Sequence, residues 1–263
     1  MDKKIEMDEF KLNPADLRNG VYILSEINNE FESVYLKVRD KEKRIYPDDE
    51  LIKLPFPSEN NTHKKEWDLR AKSFIRFKEY LKQKNTDLNI LDFGCGNGWF
   101  CGQLSKSFNH NFYCVDVNIT ELTQGRRVFN SEKLKFIYAD IFSPKLPDYS
   151  FDLIIINAAI QYFPDLNRLI DKLLTVINDR GEIHIIDSPI YSEGEAGRAK
   201  QRTINYYLSI EFPEMSANYY HHTWDKLANY NYSVIYNLHS FKKRIIKLLS
   251  IKDSPFPWIK ITL

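Results

Sequence analysis

Three glycines at alternate positions, preceded by an acid, are the residues of this chain whose types and spacing best suit chemistry. They stand as Asp92-x-Gly94-x-Gly96-x-Gly98 within residues 88–100, LNILDFGCGNGWF. Glycine has no Cβ and tolerates positive φ, so the main chain can turn sharply and a ligand can lie directly against it. A helix beginning just after the turn adds unpaired N–H groups. The stretch predicts a loop that binds a nucleotide-like ligand; the alternative is a strand-to-helix turn that binds nothing.

A second acid, Asp116, follows the apolar run Phe112-Tyr113-Cys114-Val115. It lies about 20 residues beyond the glycines, where nucleotide-binding β-α-β units place the acid that binds a ribose. A carboxylate at the end of a strand can accept hydrogen bonds from both ribose hydroxyls. NAD sites use the same arrangement, so Asp116 alone does not identify the cofactor, and a surface acid without a ligand is the alternative.

Alternating strands and helices are predicted to position these residues. From residue 88 onward, short and nearly continuous apolar runs alternate with helical patterns. This order is typical of a mostly parallel sheet covered by helices on both faces. The predicted strands are 89–93, 111–117, 135–139, 151–157 and 181–187, and the predicted helices between them are 99–105, 120–129 and 166–177.

The two ends of the chain are predicted less regularly. We interpret residues 1–61 as an N-terminal extension with short strands at 21–27 and 33–38, and residues 62–263 as one domain that begins with a helix at 63–84. Residues 192–230, rich in Tyr and His, are a candidate substrate cap. The remaining predictions are helices at 194–210 and 223–229, a strand at 232–238, a basic amphipathic helix at 241–250 and a final strand at 258–263.

Composition excludes several classes of protein. The chain has 263 residues, 43% of them hydrophobic, and a net charge of +1, so its overall field would not attract nucleic acid or an anionic membrane. The three cysteines have no C-x-x-C spacing, so we predict no metal site. No apolar run approaches the roughly 18 residues that a membrane span needs. We therefore expect a cytoplasmic protein without a signal peptide or membrane span.

The glycine spacing narrows the choice of cofactor. A dinucleotide fingerprint is G-x-G-x-x-G, whereas Asp92-x-Gly94-x-Gly96-x-Gly98 resembles motif I of class I S-adenosylmethionine (SAM)-dependent methyltransferases. The resemblance implies an α/β fold with a seven-stranded, mostly parallel sheet and an antiparallel C-terminal strand. It also implies SAM as cofactor and S-adenosyl-L-homocysteine (SAH) as product.

The resemblance further implies which residues contact the cofactor. In the family, an acid in the position of Asp140 lies near the adenine amino group, and the next residue lies beside the ring; an Asx turn or helix N-cap is the alternative for Asp140. Trp67, Arg70 or Phe74, on the helix before the first strand, are further candidates. The implied cofactor residues are Asp92, Phe93, Gly94, Cys95, Gly96, Asn97, Gly98, Asp116, Val117, Asp140, Ile141, Asn157, Ala158 and Tyr162.

Residues for substrate binding and catalysis are predicted from their place near the strand ends. Gln161 stands where many relatives carry a histidine, so we interpret it as a substrate-orienting residue rather than a base. Asp187 and Tyr191 follow the fifth strand, where a substrate would enter. His221 and His222 are the candidate general bases because imidazole titrates near neutral pH.

The function predicted from the sequence is transfer of the SAM methyl group to an O, N or C atom of a small or medium-sized acceptor, by a monomer or homodimer. Three alternatives stay open: a SAM-binding partner or sensor without catalysis, an NAD-dependent oxidoreductase, and a nucleic-acid methyltransferase. The last would carry an N/D-P-P-Y/F-type tetrapeptide, whereas residues 157–160 read NAAI. We expect no nucleic acid partner.

Overall fold

One nine-stranded mixed sheet organises the protein. The computed structural model describes residues 12–84, 86–142, 150–237 and 253–263. The strands are β1 (Leu17–Arg18), β2 (Val21–Ile23), β3 (Asn89–Phe93), β4 (Asn111–Asp116), β5 (Leu134–Tyr138), β6 (Phe151–Asn157), β7 (Ile177–Ile186), β8 (Asn231–Tyr236) and β9 (Trp258–Thr262). The α-helices are α1 (Asn29–Lys41), α2 (Asp48–Leu51), α3 (Lys64–Leu81), α4 (Trp99–Leu104), α5 (Ile119–Val128), α6 (Leu166–Val176) and α7 (Glu193–Ser209).

The strand order is β1-β2-β5-β4-β3-β6-β7-β9-β8. The six strands from β2 to β7 in this order run parallel, so the carboxyl ends of β3, β4, β5 and β6 meet at one edge of the sheet. β9 lies antiparallel between β7 and β8. The predicted α/β class and the antiparallel C-terminal strand are therefore confirmed.

The strand count differs from the predicted seven. β1 and β2 extend the sheet beyond β5, with β2 parallel to β5 and β1 antiparallel to β2. Because both are very short, their apolar pattern carries little information. The other seven strands form the predicted arrangement.

Burial of both faces explains the apolar strands. All five residues of β3 are buried. Alternate side chains point to opposite faces: Ile90 packs in one core cluster with Phe112, and Leu91 packs in the other with Val115. A parallel sheet covered on both sides requires such runs, which is why these strands were recognisable from the sequence.

The predicted strand at 33–38 is wrong, because these residues lie within α1. The side chain of Asn28 accepts a hydrogen bond from the backbone N–H of Glu30 and caps this helix. Residues 34, 36 and 38 are apolar at alternate positions and imitate a strand, but Phe31, Val34, Tyr35 and Val38 also have helical spacing. The latter four pack together with residues of α7 and the segment after it.

Other elements follow the predictions with shifted bounds; β7, for example, begins at Ile177 instead of the predicted residue 181. The helix predicted at 63–84 is α3, and its residues Trp67, Phe74 and Phe77 are buried. The helix predicted at 223–229 is a single 3-10 turn, Trp224–Leu227. The helix predicted at 241–250 lies outside the described residues. The boundary at residue 61 stays a prediction. None of the helices within the described ranges has the length and apolar composition needed to span a membrane.

Candidate functional site

A cavity of about 380 Å³ opens at the carboxyl ends of β3, β4, β5 and β6. Open α/β sheets bind ligands at this edge, where the loops after neighbouring strands diverge. The ends of the four strands form the floor of the cavity. Side chains of α1 and α3 complete its wall, together with Arg44 and Tyr46 between those helices.

The glycine loop after β3 forms the centre of the floor. Phe93, Gly94, Cys95, Gly96 and Asn97 all line the cavity. Gly94 and Gly96 have φ values of 70° and 55°, a region that glycine enters without strain. A Cβ on Gly94 would lie 2.6 Å from the Cβ of Ala159, so this position has no room for a side chain.

Gly98 allows close packing between the loop and the side chains below it. It begins α4 with φ 68°, and a Cβ there would lie 2.6 Å from the ring of Phe136. Gly98 is not among the described residues that line the cavity. The third glycine lets the loop pack onto the sheet, and its contact with the cofactor stays a prediction.

Asp116 lies at the end of β4 and lines the cavity beside Val117. Its carboxylate accepts hydrogen bonds from the backbone N–H groups of Gly96 (2.7 Å), Val117 (2.7 Å) and Asn118 (2.9 Å). Burial raises the pKa of Asp116, although the three N–H donors act to lower it. These bonds hold the carboxylate in one orientation and leave its remaining lone pairs for a ligand.

Asp140 and Ile141 line the cavity after β5, as predicted for the adenine end. Oδ1 of Asp140 accepts from the backbone N–H of Phe142 at 3.0 Å, which is the Asx-type turn considered as the alternative. Its own N–H donates to Oγ of Ser25 at 3.0 Å. Asp140 thus shapes its turn while its side chain stays at the cavity.

The turn after β6 brings Asn157, Ala158, Gln161 and Tyr162 to the cavity wall. Ala158 has φ 54°, so a non-glycine residue holds a strained conformation here. Nε2 of Gln161 donates to the carbonyl of Ala158 at 2.5 Å and braces this turn. Oδ1 of Asn157 is buried without a hydrogen-bond partner among the described residues, so it is an acceptor left for a ligand.

Asp92 does not belong to the wall of the cavity as the structure describes it. It is buried under the loop, where its carboxylate and the thiols of Cys101 and Cys114 lie within 4.8 Å of one another. Burial raises its pKa well above the usual range. A contact between Asp92 and the cofactor stays a prediction, which this position below the described wall does not support. Cysteine spacing could not indicate this grouping, because its members lie on β3, α4 and β4.

Two predicted substrate residues lie elsewhere. Asp187 is buried and accepts from Oγ of Ser73 at 2.6 Å and from Oγ of Ser254 at 3.2 Å. Tyr191 pairs with Thr223 in an isolated β-bridge, and its ring lies 5.6 Å from that of His221. Neither is among the described cavity residues, so only Gln161 of the predicted substrate residues lies in the wall.

The two candidate bases also lie away from the cavity as described. Nε2 of His222 is 3.0 Å from the carbonyl oxygen of Ile160, and Nε2 of His221 is 2.9 Å from Oγ1 of Thr203. Burial lowers the pKa of both imidazoles. Their positions do not support the predicted role of general base, because neither ring reaches the space where a ligand would bind.

Sequence reasoning missed the contribution of α1. This helix places Phe31, Glu32, Tyr35 and Arg39 in the cavity wall. Glu32 accepts from the N–H and Oγ1 of Thr120, at 3.0 and 2.7 Å, and so joins α1 to the start of α5. The helical spacing within residues 31–38 was the signal that could have revealed these residues.

Further along the wall, α3 contributes Trp67 and Arg70, whereas Phe74 is not among the described residues lining the cavity. Nε1 of Trp67 donates to the hydroxyl of Tyr46 at 2.8 Å. Glu66 accepts from Arg44 at 3.1 and 2.6 Å and from Nε of Arg70 at 3.0 Å. Two arginines of the wall therefore share this one carboxylate.

Glu121, also in the wall, was not predicted. Burial raises its pKa to about 7, and the nearby Asp116 and Glu32 add to the shift, while Arg39 acts against it. A Cβ on Gly96 would lie 3.1 Å from Oε2 of Glu121, so this carboxyl is beside the glycine loop.

Comparison with known families gives a match over the β-α units that build this site. Residues 91–185 match the family described as "Methyltransferase domain". They run from β3 to the end of β7 and include the glycine loop, Asp116, Asp140 and the turn after β6.

Curated relatives match over a similar part of the chain. An uncharacterised methyltransferase of Mycobacterium tuberculosis (strain H37Rv) is 25% identical over 97 residues, which are 37% of this chain and 49% of that protein. A malonyl-[acyl-carrier protein] O-methyltransferase of Acetivibrio thermocellus is 28% identical over 133 residues, 48% of this chain and 45% of that protein. The chain thus spans about half the length of the curated relatives it matches.

Solved structures are similar in fold over more of the chain. A protein from Galdieria sulphuraria, described provisionally as a sarcosine dimethylglycine methyltransferase, has a TM-score of 0.55 at 14% identity, covering 87% of this chain and 97% of that one. Geranyl diphosphate C-methyltransferase from Streptomyces coelicolor A3(2), solved with Mg²⁺, geranyl diphosphate and SAH, has a TM-score of 0.53 at 12% identity, covering 78% and 84%.

Proposed function

Because residues 91–185 match a methyltransferase domain and the chain builds a mostly parallel α/β sheet with an antiparallel C-terminal strand, we propose that the protein transfers the methyl group of SAM to an O, N or C atom of a small or medium-sized acceptor. The observation that carries this proposal is the cavity itself. Its floor joins the glycine loop, Asp116, Asp140 and Asn157 from four successive parallel strands.

The residues present fit SAM. Gly94 and Gly96 leave the main chain bare, which suits a ligand lying flat against the loop. Asp116 has lone pairs for ribose hydroxyls, and Asp140 has a free carboxylate oxygen for an adenine amine. The unpaired Oδ1 of Asn157 supports a ligand that carries N–H donors, such as the amino group of a methionine moiety.

Methyl transfer from SAM requires mainly that the acceptor atom be aligned with the methyl group. When bound, SAM supplies a methyl group made electrophilic by its positive sulfur. The chain's own residues would hold the acceptor in line with that methyl and exclude water, and orienting two reactants in this way lowers the barrier substantially. A base is needed only for an acceptor that is protonated at the moment of attack.

The acceptor stays open within this proposal. Several curated relatives are malonyl-[acyl-carrier protein] O-methyltransferases, at low identity and over less than half of their length in four of them. They support acceptors that are methylated on an oxygen atom as one class to test. A SAM-binding protein without catalysis is the alternative.

Calorimetry with SAM, SAH and NAD tests the cofactor. We expect binding of SAM and SAH but not of NAD; binding of NAD alone would overturn the proposal. An acceptor panel that includes small acids, phenols, amines and a malonyl-thioester then tests catalysis by following SAH formation. Tight SAM binding without SAH formation from any of these classes would favour the non-catalytic alternative.

A further inference from the structure

An arginine in the wall of the cavity, without a carboxylate hydrogen-bonded to it among the described residues, carries an inference about the acceptor, which rests on the proposed function. Three arginines line this cavity: Arg39, Arg44 and Arg70. Arg44 and Arg70 share the carboxylate of Glu66. Among the described residues, Arg39 makes no such hydrogen bond to a carboxylate: its Nε is buried without a hydrogen-bond partner, and its Nη1 forms only a long ion pair with Glu42.

The nearest described acids lie close to Arg39 without a hydrogen bond to its guanidinium. Its Nη1 lies 3.9 Å from Oε2 of Glu42, too far for a hydrogen bond. Glu42 is engaged elsewhere, since it lies 3.3 Å from Nε of Arg44 and accepts from the hydroxyl of Tyr206 at 2.5 Å. Glu121 is the other acid of the wall near Arg39, and with its pKa near 7 it is largely uncharged in slightly acidic solution.

An aromatic cluster lies beside the guanidinium of Arg39. Its carbon lies 5.3 Å from the ring centroid of Tyr35. The rings of Tyr35 and Tyr162 meet edge to face at 5.8 Å, and Phe31 lies 6.4 Å from Tyr162. A ligand group that reaches Arg39 would therefore lie beside the aromatic cluster of Phe31, Tyr35 and Tyr162, all of which line the cavity.

The position of Arg39 separates it from the predicted ribose end of the cavity. Glu32 fixes the first turn of α1 above Thr120 at the start of α5. Arg39 follows seven residues later, two turns or roughly 10 Å further along the helix axis. Arg70, on α3, stacks on Trp67, whose ring contacts that of Trp99 at the start of α4.

We propose that the acceptor is an organic acid with an apolar or aromatic body, and that Arg39 binds its carboxylate as the recognition group. The planar guanidinium matches a carboxylate with two parallel N–H···O bonds. A buried N–H donor without an acceptor is costly, and an anionic ligand would supply the acceptor that Nε of Arg39 lacks among the described residues. A neutral acceptor of the same shape has no carboxylate to pair with Arg39 and therefore lacks this contribution to binding.

Matched acids and amides test this inference directly. The probes are benzoate and benzamide, 4-hydroxybenzoate and 4-hydroxybenzamide, and hexanoate and hexanamide, titrated into the SAH-loaded protein by ligand-observed NMR. We expect the acids to bind about tenfold or more tightly than their amides, a difference of about 1.4 kcal/mol. Equal affinity of acid and amide in all three pairs would overturn the inference without any variant.

Variants then show whether Arg39 is the residue that causes the preference for acids. R39Q should abolish the preference for acids and leave amide binding unchanged, while R39K, which keeps the charge but not the planar fork, should retain part of it. The matched control is R180Q, at an exposed arginine of β7, which should behave like the wild type. An acid preference that survives in R39Q would contradict the assignment.

The same variants separate this inference from the proposed function. If SAM binds R39Q about tenfold more weakly than the wild type, Arg39 serves the carboxylate of the cofactor and the inference fails, although the function stands. If the wild type binds neither SAM nor SAH, the proposed function fails, and the acid–amide comparison without SAH still decides whether Arg39 binds carboxylates.

Discussion

The backbone N–H of Gly96 donates a 2.7 Å hydrogen bond to Oδ2 of Asp116. The bond ties the loop after β3 to the end of β4, so these two parts of the proposed SAM site are held together by the protein itself. Asp116 is therefore both a ligand-binding residue and the support of the loop beside it.

Substitution of Asp116 should weaken SAM binding through both roles. We expect D116A to lower the affinity for SAM by about tenfold or more, since paired charge-assisted hydrogen bonds contribute at least 1–2 kcal/mol. Calorimetry measures this, with D179A, at an exposed acid of β7, as control. Unchanged SAM affinity in a folded D116A would remove Asp116 from the site.

The glycine at the start of α4 should matter for stability rather than for ligand contact. G98A forces a Cβ to within 2.6 Å of the Phe136 ring at a φ of 68°, and we expect a loss of about 1–3 kcal/mol in the free energy of unfolding. Gly194 provides the comparison, because a Cβ there meets nothing within 4 Å inside α7. G194A should stabilise the protein by up to about 1 kcal/mol. Urea unfolding measures the free energy of unfolding of both variants. Equal changes in G98A and G194A would contradict the prediction.

The pKa of Glu121 makes a prediction about pH. Burial raises this pKa from 4.5 to about 7, so the folded state holds the proton more tightly than the unfolded state. The resulting stabilisation is complete below pH 4.5 and is lost as the pH rises to about 7. E121Q should remove about 1–3 kcal/mol of this pH dependence and be more stable than the wild type at pH 8.

Urea unfolding at pH 5 and pH 8 measures the effect, with E59Q at an exposed glutamate as control. The same decline with pH in E121Q and the wild type would show that Glu121 titrates at its ordinary pKa. Burial also raises the pKa of Asp92 and Asp116, which is why the comparison is between variants rather than between pH values alone.

The attachment of α1 to α5 offers a test outside the cavity. Oγ1 of Thr120 donates to Glu32 at 2.7 Å, and T120V removes this bond without altering a described residue of the cavity wall. We expect T120V to lose about 0.5–1.5 kcal/mol in the free energy of unfolding. Hydrogen exchange within α1 should be faster, and SAH should bind severalfold more weakly. The control is T175V on α6, whose hydroxyl bonds only within its own helix in the described structure. Wild-type exchange in α1 of T120V would mean that other contacts hold this helix.

Local patterns explain what the sequence could predict. The strands Asn89–Phe93 and Phe151–Asn157 have the predicted bounds because they are buried on both faces. The loop and the acids after the strands follow from the same β-α order. The site residues of the loop and of the turns after β5 and β6 were thus predicted from short stretches of sequence.

The acceptor side could not be predicted in this way, because it depends on which distant elements meet. Arg39 reaches the cavity only because α1 folds back over the ends of strands that follow it by 50 residues or more. His221 and His222 had suitable chemistry, but the chain between α7 and β8 turns both rings toward other contacts. Asp92 has the expected motif position, yet its alternation within β3 points it into the protein.

The position of α1 also has a kinetic consequence. The strand ends form the floor of the cavity, and α1 carries the side chains that face them. A cofactor on the floor would be covered once an acceptor lies beside α1. We therefore expect ordered kinetics in which SAM enters before the acceptor and SAH leaves last, so that SAH inhibits competitively against SAM and non-competitively against the acceptor.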